Sequence, residues 1–135
     1  MPARQNVTLC PVGNSEEKLA MSVTASIELN DDCAVVVFSG RITLGSSLSL
    51  ADSQIRSLIN SGVRKIVFDL TEVELVDSAG LGMLVYTYGS LCSKGGALRL
   101  CGVAPRILSL LELTKMNTLL AIDATREESL AALRA

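Results

Sequence analysis

The run Lys65-Ile66-Val67-Phe68-Asp69-Leu70 constrains this chain more than any other stretch. It is a nearly unbroken apolar segment of strand length, and such segments belong in a parallel or mixed sheet covered on both faces. The residues after it narrow the choice further. Asp77 or Ser78 opens a helix with Leu81, Leu84, Val85, Tyr88 and Leu91 on one stripe, Gly95-Gly96 closes it, and residues 97–101 read as the next strand. A strand, a helix and a strand in that order require a crossover, which is right-handed in nearly all folds and makes the two strands parallel. The strand from Lys65, ending near Leu70, is therefore expected at the centre of the sheet.

The flanking pattern completes an α/β reading. Residues 23–29 alternate, Asn30-Asp31-Asp32 carries turn chemistry, and residues 34–38 form a β-rich run, which together predict a hairpin. Ser46 or Ser47 is placed to cap a helix bearing Leu48, Ala51, Ile55, Leu58 and Ile59, with Gly62 to stop it. Pro105 starts a third helix with Ile107, Leu108 and Leu111, residues 119–122 form a short strand, and Thr125 with Glu128 makes a capping box for a last helix. The expected architecture is a single mixed β-sheet of four to five strands with about four helices packed beside it, spanning residues 21–135. Residues 1–20, with Pro2, Pro11, Gly13 and Asn14, lack any apolar period and read as a tail or extension dispensable for stability, and Met21 is a candidate natural start.

Composition excludes several classes of function. A chain of 135 residues is sufficient for one domain that buries roughly two thirds of its unfolded surface. Hydrophobic residues at 49% rule out disorder, while aromatics at 3% leave an aliphatic core and no platform for base stacking. A net charge of −2 argues against a nucleic-acid partner. The first twenty residues hold Arg4, Glu16, Glu17 and Lys18 without an apolar stretch, so they read as neither signal peptide nor anchor. The longest uncharged run, residues 78–93, is too short for a membrane span and is interrupted by Gly80, Gly82 and Gly89. Cys10, Cys33, Cys92 and Cys101 are scattered, as expected of a reduced, cytoplasmic chain without structural disulfides, and Cys33, Cys92 and Cys101 read as small buried hydrophobes.

The chemistry of catalysis is missing too. Without a single histidine the chain cannot build a Ser-His-Asp or Cys-His site, and its cysteines have no zinc spacing. Asp69 and Asp77 remain as a carboxylate pair for an oxygen-bound metal. Gly80-x-Gly82 is no dinucleotide fingerprint, because Val85 stands where the third glycine belongs. Glycine within a helix costs about 1 kcal/mol relative to alanine, so these two point to close approach of the helix to the sheet or to a partner. No enzyme activity, metal or cofactor is expected. Asp77-Ser78 sits where unpaired N–H groups and the helix dipole favour negative charge, whether a capping side chain or an added phosphate.

Phe68-Asp69-Leu70, Val76-Asp77-Ser78-Ala79-Gly80-Leu81-Gly82 and Gly95-Gly96-Ala97-Leu98-Arg99-Leu100 resemble the signature of STAS domains, found in anti-sigma factor antagonists and sulfate transporters. The resemblance runs from about Ser22 to Ala135. It implies a protein-binding switch that captures an anti-sigma factor which is also a serine kinase. Phosphorylation of Ser78 would prevent capture, and a phosphatase would restore it. Asp77 matches the acidic residue before the phosphorylated serine, and Ala79, Gly80, Leu81 and Gly82 match the start of the partner-facing helix. After Gly40 the family often carries an acidic residue, whereas this chain reads Arg41-Ile42-Thr43-Leu44-Gly45. Thr43, Ser46 and Ser47 offer polar contacts on the same rim, or loop and cap duty. A STAS subunit of a stress-signalling or lipid-transport assembly is the alternative, separated only by the identity of the partner.

Overall fold

The computed structural model describes residues 6–9 and 22–134. Its strands are β1 (Asn6–Leu9), β2 (Val23–Asn30), β3 (Cys33–Ile42), β4 (Lys65–Val76), β5 (Ala97–Cys101) and β6 (Ala121–Asp123). Among the described residues the helices are α1 (Ser46–Asn60), α2 (Ser78–Ser93), α3 (Pro105–Leu113) and α4 (Arg126–Arg134), with one 3-10 turn at Met116–Thr118. All strands join one mixed sheet in chain order, antiparallel from β1 to β3 and parallel from β3 to β6. The mixed sheet and four helices match expectation. Five strands lie in the region assigned to the domain, and a sixth, β1, comes from the stretch read as a tail. Edge pairing uses backbone N–H and C=O groups, so it needs no apolar period to announce it.

The hairpin forms as its pattern requires. Asn30 pairs with Cys33 across Asp31-Asp32, and Asp31 takes the left-handed conformation at φ 58°. Alternation sends Val23, Ala25 and Ile27 of β2 to one face of the sheet, where α1, α2 and α3 add Ile55, Leu84 and Ile107 to the main core. Phe38 of β3 and Phe68 of β4 meet edge to face at its centre, with ring centroids 5.0 Å apart. On the other face α4 packs Leu133 over Cys33, Val35, Val67 and Cys101. Both faces of the first half of β4 are covered, which is why it is apolar from Ile66 to Leu70 apart from Asp69.

Four local expectations require correction. β4 does not end near Leu70 but continues to Val76, pairing with Ser39 to Ile42 beyond a register shift between Val37 and Ser39. Its outer half exposes Thr71, Glu72, Glu74 and Leu75, while Val73 and Val76 remain buried. Neither Ser46 nor Ser47 caps α1. Gly45 occupies that position, Ser46 is exposed, and the buried Ser47 hydroxyl oxygen accepts from the amide of Val23 at 3.3 Å, tying α1 to β2. The buried stripe of α2 is Gly80, Met83, Leu84, Thr87 and Leu91, rotated from the expected one, because this helix is apolar nearly all round. Cys92 is exposed.

The cysteine environments set a reactivity order. Burial pushes the thiol of Cys101 up to about 12, with Asp69 adding to the effect. Burial, and then Asp32, raise that of Cys33. With the native fold intact, Cys92 should be alkylated fast while Cys33 and Cys101 resist, and in denaturant without reductant all the cysteines of the chain should react. Any thiol still protected after unfolding would reveal a disulfide; Cys10 lies outside the described residues.

Candidate functional site

The end of β4 delivers the chain to the start of α2 at the carboxyl edge of the parallel strands. Asp77 is the N-cap, with φ −98° and ψ −173°, and its Oδ1 accepts from the amide of Gly80 at 2.9 Å. Its Oδ2 accepts from the amide of Leu44 at 2.9 Å, which reaches across to the loop after β3. The amide of Asp77 donates to the carbonyl oxygen of Ile42 at 3.2 Å. One side chain thus fastens the β3–α1 loop to the helix start. Burial alone would raise its carboxyl, but the amides of Leu44, Gly80 and Ala79 outweigh it and hold Asp77 below its ordinary value. The cap is therefore fully formed at neutral pH and weakens only as pH falls through that lowered value.

Ser78 is the first residue of α2 and is exposed. Gly80 is buried, and a Cβ there would collide with the carbonyl oxygen of Ile42 and stand 2.7 Å from its Cγ2. Close approach to the sheet is therefore its reason. Gly82 differs, since it is exposed and a Cβ would meet nothing within 4 Å. It borders a groove of about 210 Å³ between α1 and α2, lined also by Leu48, Ser49, Ala79, Met83 and Tyr86. The guanidinium of Arg56 lies 4.1 Å over the Tyr86 ring and donates to Asp52 at 2.9 Å.

The structure brings Thr43, Asp77, Ser78 and Gly80 together through the Leu44–Asp77 contact and the approach of Gly80 to Ile42, with the exposed Ser46 one residue beyond Gly45. Leu81 is half-buried against the main core. The structure does not unite Asp69 with Asp77. Asp69 lies on the α4 face, where Arg126 reaches its Oδ2 at 3.0 Å and Thr71 donates to its Oδ1 at 2.6 Å, and no cluster among the described residues is fit to hold a metal ion. Sequence reasoning missed Leu44, which is 82% exposed, and an apolar groove of about 270 Å³ lined by Leu75, Ile107, Leu110, Leu113 and Arg106. The leucine in the short loop from Thr43 to Gly45 was the available signal for the first; the second joins strand and helix residues and has no local signature.

A sheet built in chain order, covered by three helices on one face and one on the other, with an Asp-Ser helix start at its rim, defines a small mixed α/β domain class. The chain belongs to the STAS domain family, whose model matches residues 24–129. It is 25% identical over 107 residues to the anti-sigma-B factor antagonist of Bacillus subtilis, covering 79% of this chain and 96% of that one. Its fold is similar to the crystal structure of an anti-sigma factor antagonist from Mycobacterium paratuberculosis, with a TM-score of 0.76, 27% identity and coverage of 84% and 96% of the two chains. It also shares the fold of the unphosphorylated anti-sigma factor antagonist SpoIIAA, with a TM-score of 0.68, 19% identity and coverage of 82% and 98%. Among the described residues no helix is long and apolar enough to cross a membrane.

Proposed function

We propose that this chain is a cytoplasmic anti-sigma factor antagonist, which binds an anti-sigma factor that is also a serine kinase and is switched off by phosphorylation of Ser78. A phosphatase returns it to the binding state. The observation that carries the reading is the exposed Ser78 hydroxyl at the first position of α2, beside a carboxylate already committed to backbone amides. Family membership and the functions named for its relatives support the same reading. Asp77, Ala79, Leu81 and Gly82, with Thr43 and Ser46 on the adjoining loop, form the contact surface, while Gly80 lets the helix start seat against β3.

A phosphate brings about −1.5 to −2 charge at neutral pH, and at a helix N-terminus it gains roughly 0.3–1 kcal/mol from the dipole, so the fold tolerates it. In a packed interface the same charge sits desolvated next to Asp77, at a cost of several kcal/mol. The interface effect dominates. Ser78→Asp should therefore abolish capture of a purified kinase-type anti-sigma factor, and Ser78→Ala should bind while resisting phosphorylation, with circular dichroism unchanged in both. Equal affinity across wild type and both variants would reduce Ser78 to a helix-start residue.

A further inference from the structure

The arginines of this chain are not treated alike. Arg56, Arg99, Arg126 and Arg134 each face a carboxylate, and Arg64 donates to the carbonyl oxygen of Ile59. The guanidinium groups of Arg41 and Arg106 have no partner among the described residues. Lys94 and Lys115, likewise without a carboxylate, follow the carboxyl ends of α2 and α3, where the helix dipole accounts for a cation. Arg106 has no such account: it stands in the first turn of α3, at the positive end. Arg41, one residue before the end of β3, lies on the same edge of the sheet, directly opposite Leu75 of β4, and Leu75 shares the 270 Å³ groove with Arg106. Two unpaired guanidinium groups thus bracket one apolar strip, a residue or two from Asp77-Ser78.

The strip is presented rather than hidden. Leu44 and Leu113 are each 82% exposed and Leu75 is 39% exposed. Leu44 does not hang on a loose loop, because the Oδ2 of Asp77 holds its amide at 2.9 Å and the amide of Thr43 donates to the carbonyl oxygen of Arg41 at 3.0 Å. An exposed apolar residue whose backbone is already held loses less freedom on docking than one on a loose loop, which favours it as an anchor. Cations without internal partners select an oppositely charged face.

We propose that this surface docks an acidic segment of the partner protein, whose carboxylates meet Arg41 and Arg106 while its apolar side chains enter the groove floored by Ile107 and Leu110 and Leu44 fills a recess beside it. The inference rests on the antagonist reading and adds the chemistry of the partner's face, which is acidic and apolar. The test titrates purified kinase-type anti-sigma factors of the source organism, one at a time, with wild type, the double variant Arg41→Glu/Arg106→Glu, Leu44→Ser and Ser78→Asp. Reversing both charges should weaken binding about a hundredfold at low salt and much less at high salt, where exposed charges are screened. Leu44→Ser should cost about tenfold at either salt, and circular dichroism should match wild type because these side chains are exposed. Binding that Ser78→Asp abolishes but that ignores Arg41, Arg106 and Leu44 would overturn this inference and leave the antagonist reading standing. Absence of wild-type binding to any of these proteins would remove both. Self-association dispersed by Arg41→Glu/Arg106→Glu would assign the surface to a second copy of this chain and overturn the inference as well.

Discussion

Gly80→Ala should destabilise the domain by about 3 kcal/mol, the upper end of what an overpacked methyl costs, and lower Tm by about 10 °C. The methyl would collide with the carbonyl oxygen of Ile42, which is backbone and cannot swing aside. Relief requires α2 to lift from β3, which stretches the bond from the Asp77 amide to the same carbonyl oxygen and the bond that Leu44 makes to Asp77. Gly82→Ala is the internal control. Its Cβ meets nothing, so alanine should raise stability by about 0.5–1 kcal/mol, while the added methyl on the exposed groove should weaken partner capture. Chemical denaturation of the two variants separates the roles. Equal stabilities would show that the helix start can drift from the sheet without cost.

Arg126→Met should cost about 2–3 kcal/mol at neutral pH, because it leaves Asp69 on the α4 face without its cation. Arg126 contacts Asp69 at 3.0 Å and Glu28 at 3.1 Å, joining α4 to β4 and β2. Losing one member of a buried pair is worth about 3–5 kcal/mol, and the expectation here is smaller because Arg126 is 28% exposed and Thr71 still donates to Asp69. Burial raises the Asp69 carboxyl, but Thr71 and Arg126 together outweigh burial and hold it below the ordinary 3.8. A carboxylate depressed in the folded state adds stability above its unfolded pKa, and that stability is lost as pH falls through the folded value. The difference between wild type and Arg126→Met should therefore be constant from neutral pH to about pH 5 and shrink below 3.8. A difference unchanged down to about pH 2 would mean that Arg126 acts through packing of its stem, not through charge.

The sequence made the scaffold legible wherever one period dominated. The hairpin at Asp31, the doubly covered half of β4, Pro105 at the start of α3 and Thr125, whose hydroxyl oxygen accepts from the Glu128 amide at 3.2 Å, all arise from local chemistry. Legibility failed where that local signal was absent or shared. Thr71, Glu72 and Glu74 imitate a loop because only one side of outer β4 is covered. In α2 apolar residues surround the axis, so composition cannot say which of Leu84, Val85 and Tyr88 faces inward. Asp77 and Ser78 were evident as a helix start, but the tie from Asp77 to Leu44 spans 33 positions of chain and left no mark in either segment. That Arg41 and Arg106 have no partner among the described residues is likewise a property of the folded surface, since an arginine's neighbours in sequence do not reveal whether a carboxylate lies near it in space.

The order of the strands in the sheet is also their order along the chain. During synthesis from the N-terminus, every strand therefore emerges next to a template already laid down: β2 beside β1, β3 beside β2, and each later strand after the connection that precedes it. No strand has to be inserted between two that have already paired. The apolar half of β4 leaves the ribosome when β3 and α1 are available to begin covering its main-core face, while the Val67 face waits for Leu133 of α4 and stays open until the end of synthesis. Among the described residues only the β2–β3 hairpin closes a tight turn; each parallel pairing, such as Cys33 with Lys65 or Lys65 with Ala97, must await its crossover helix, so the sheet should grow stepwise from the hairpin toward β6, whose three residues make a brief outer edge.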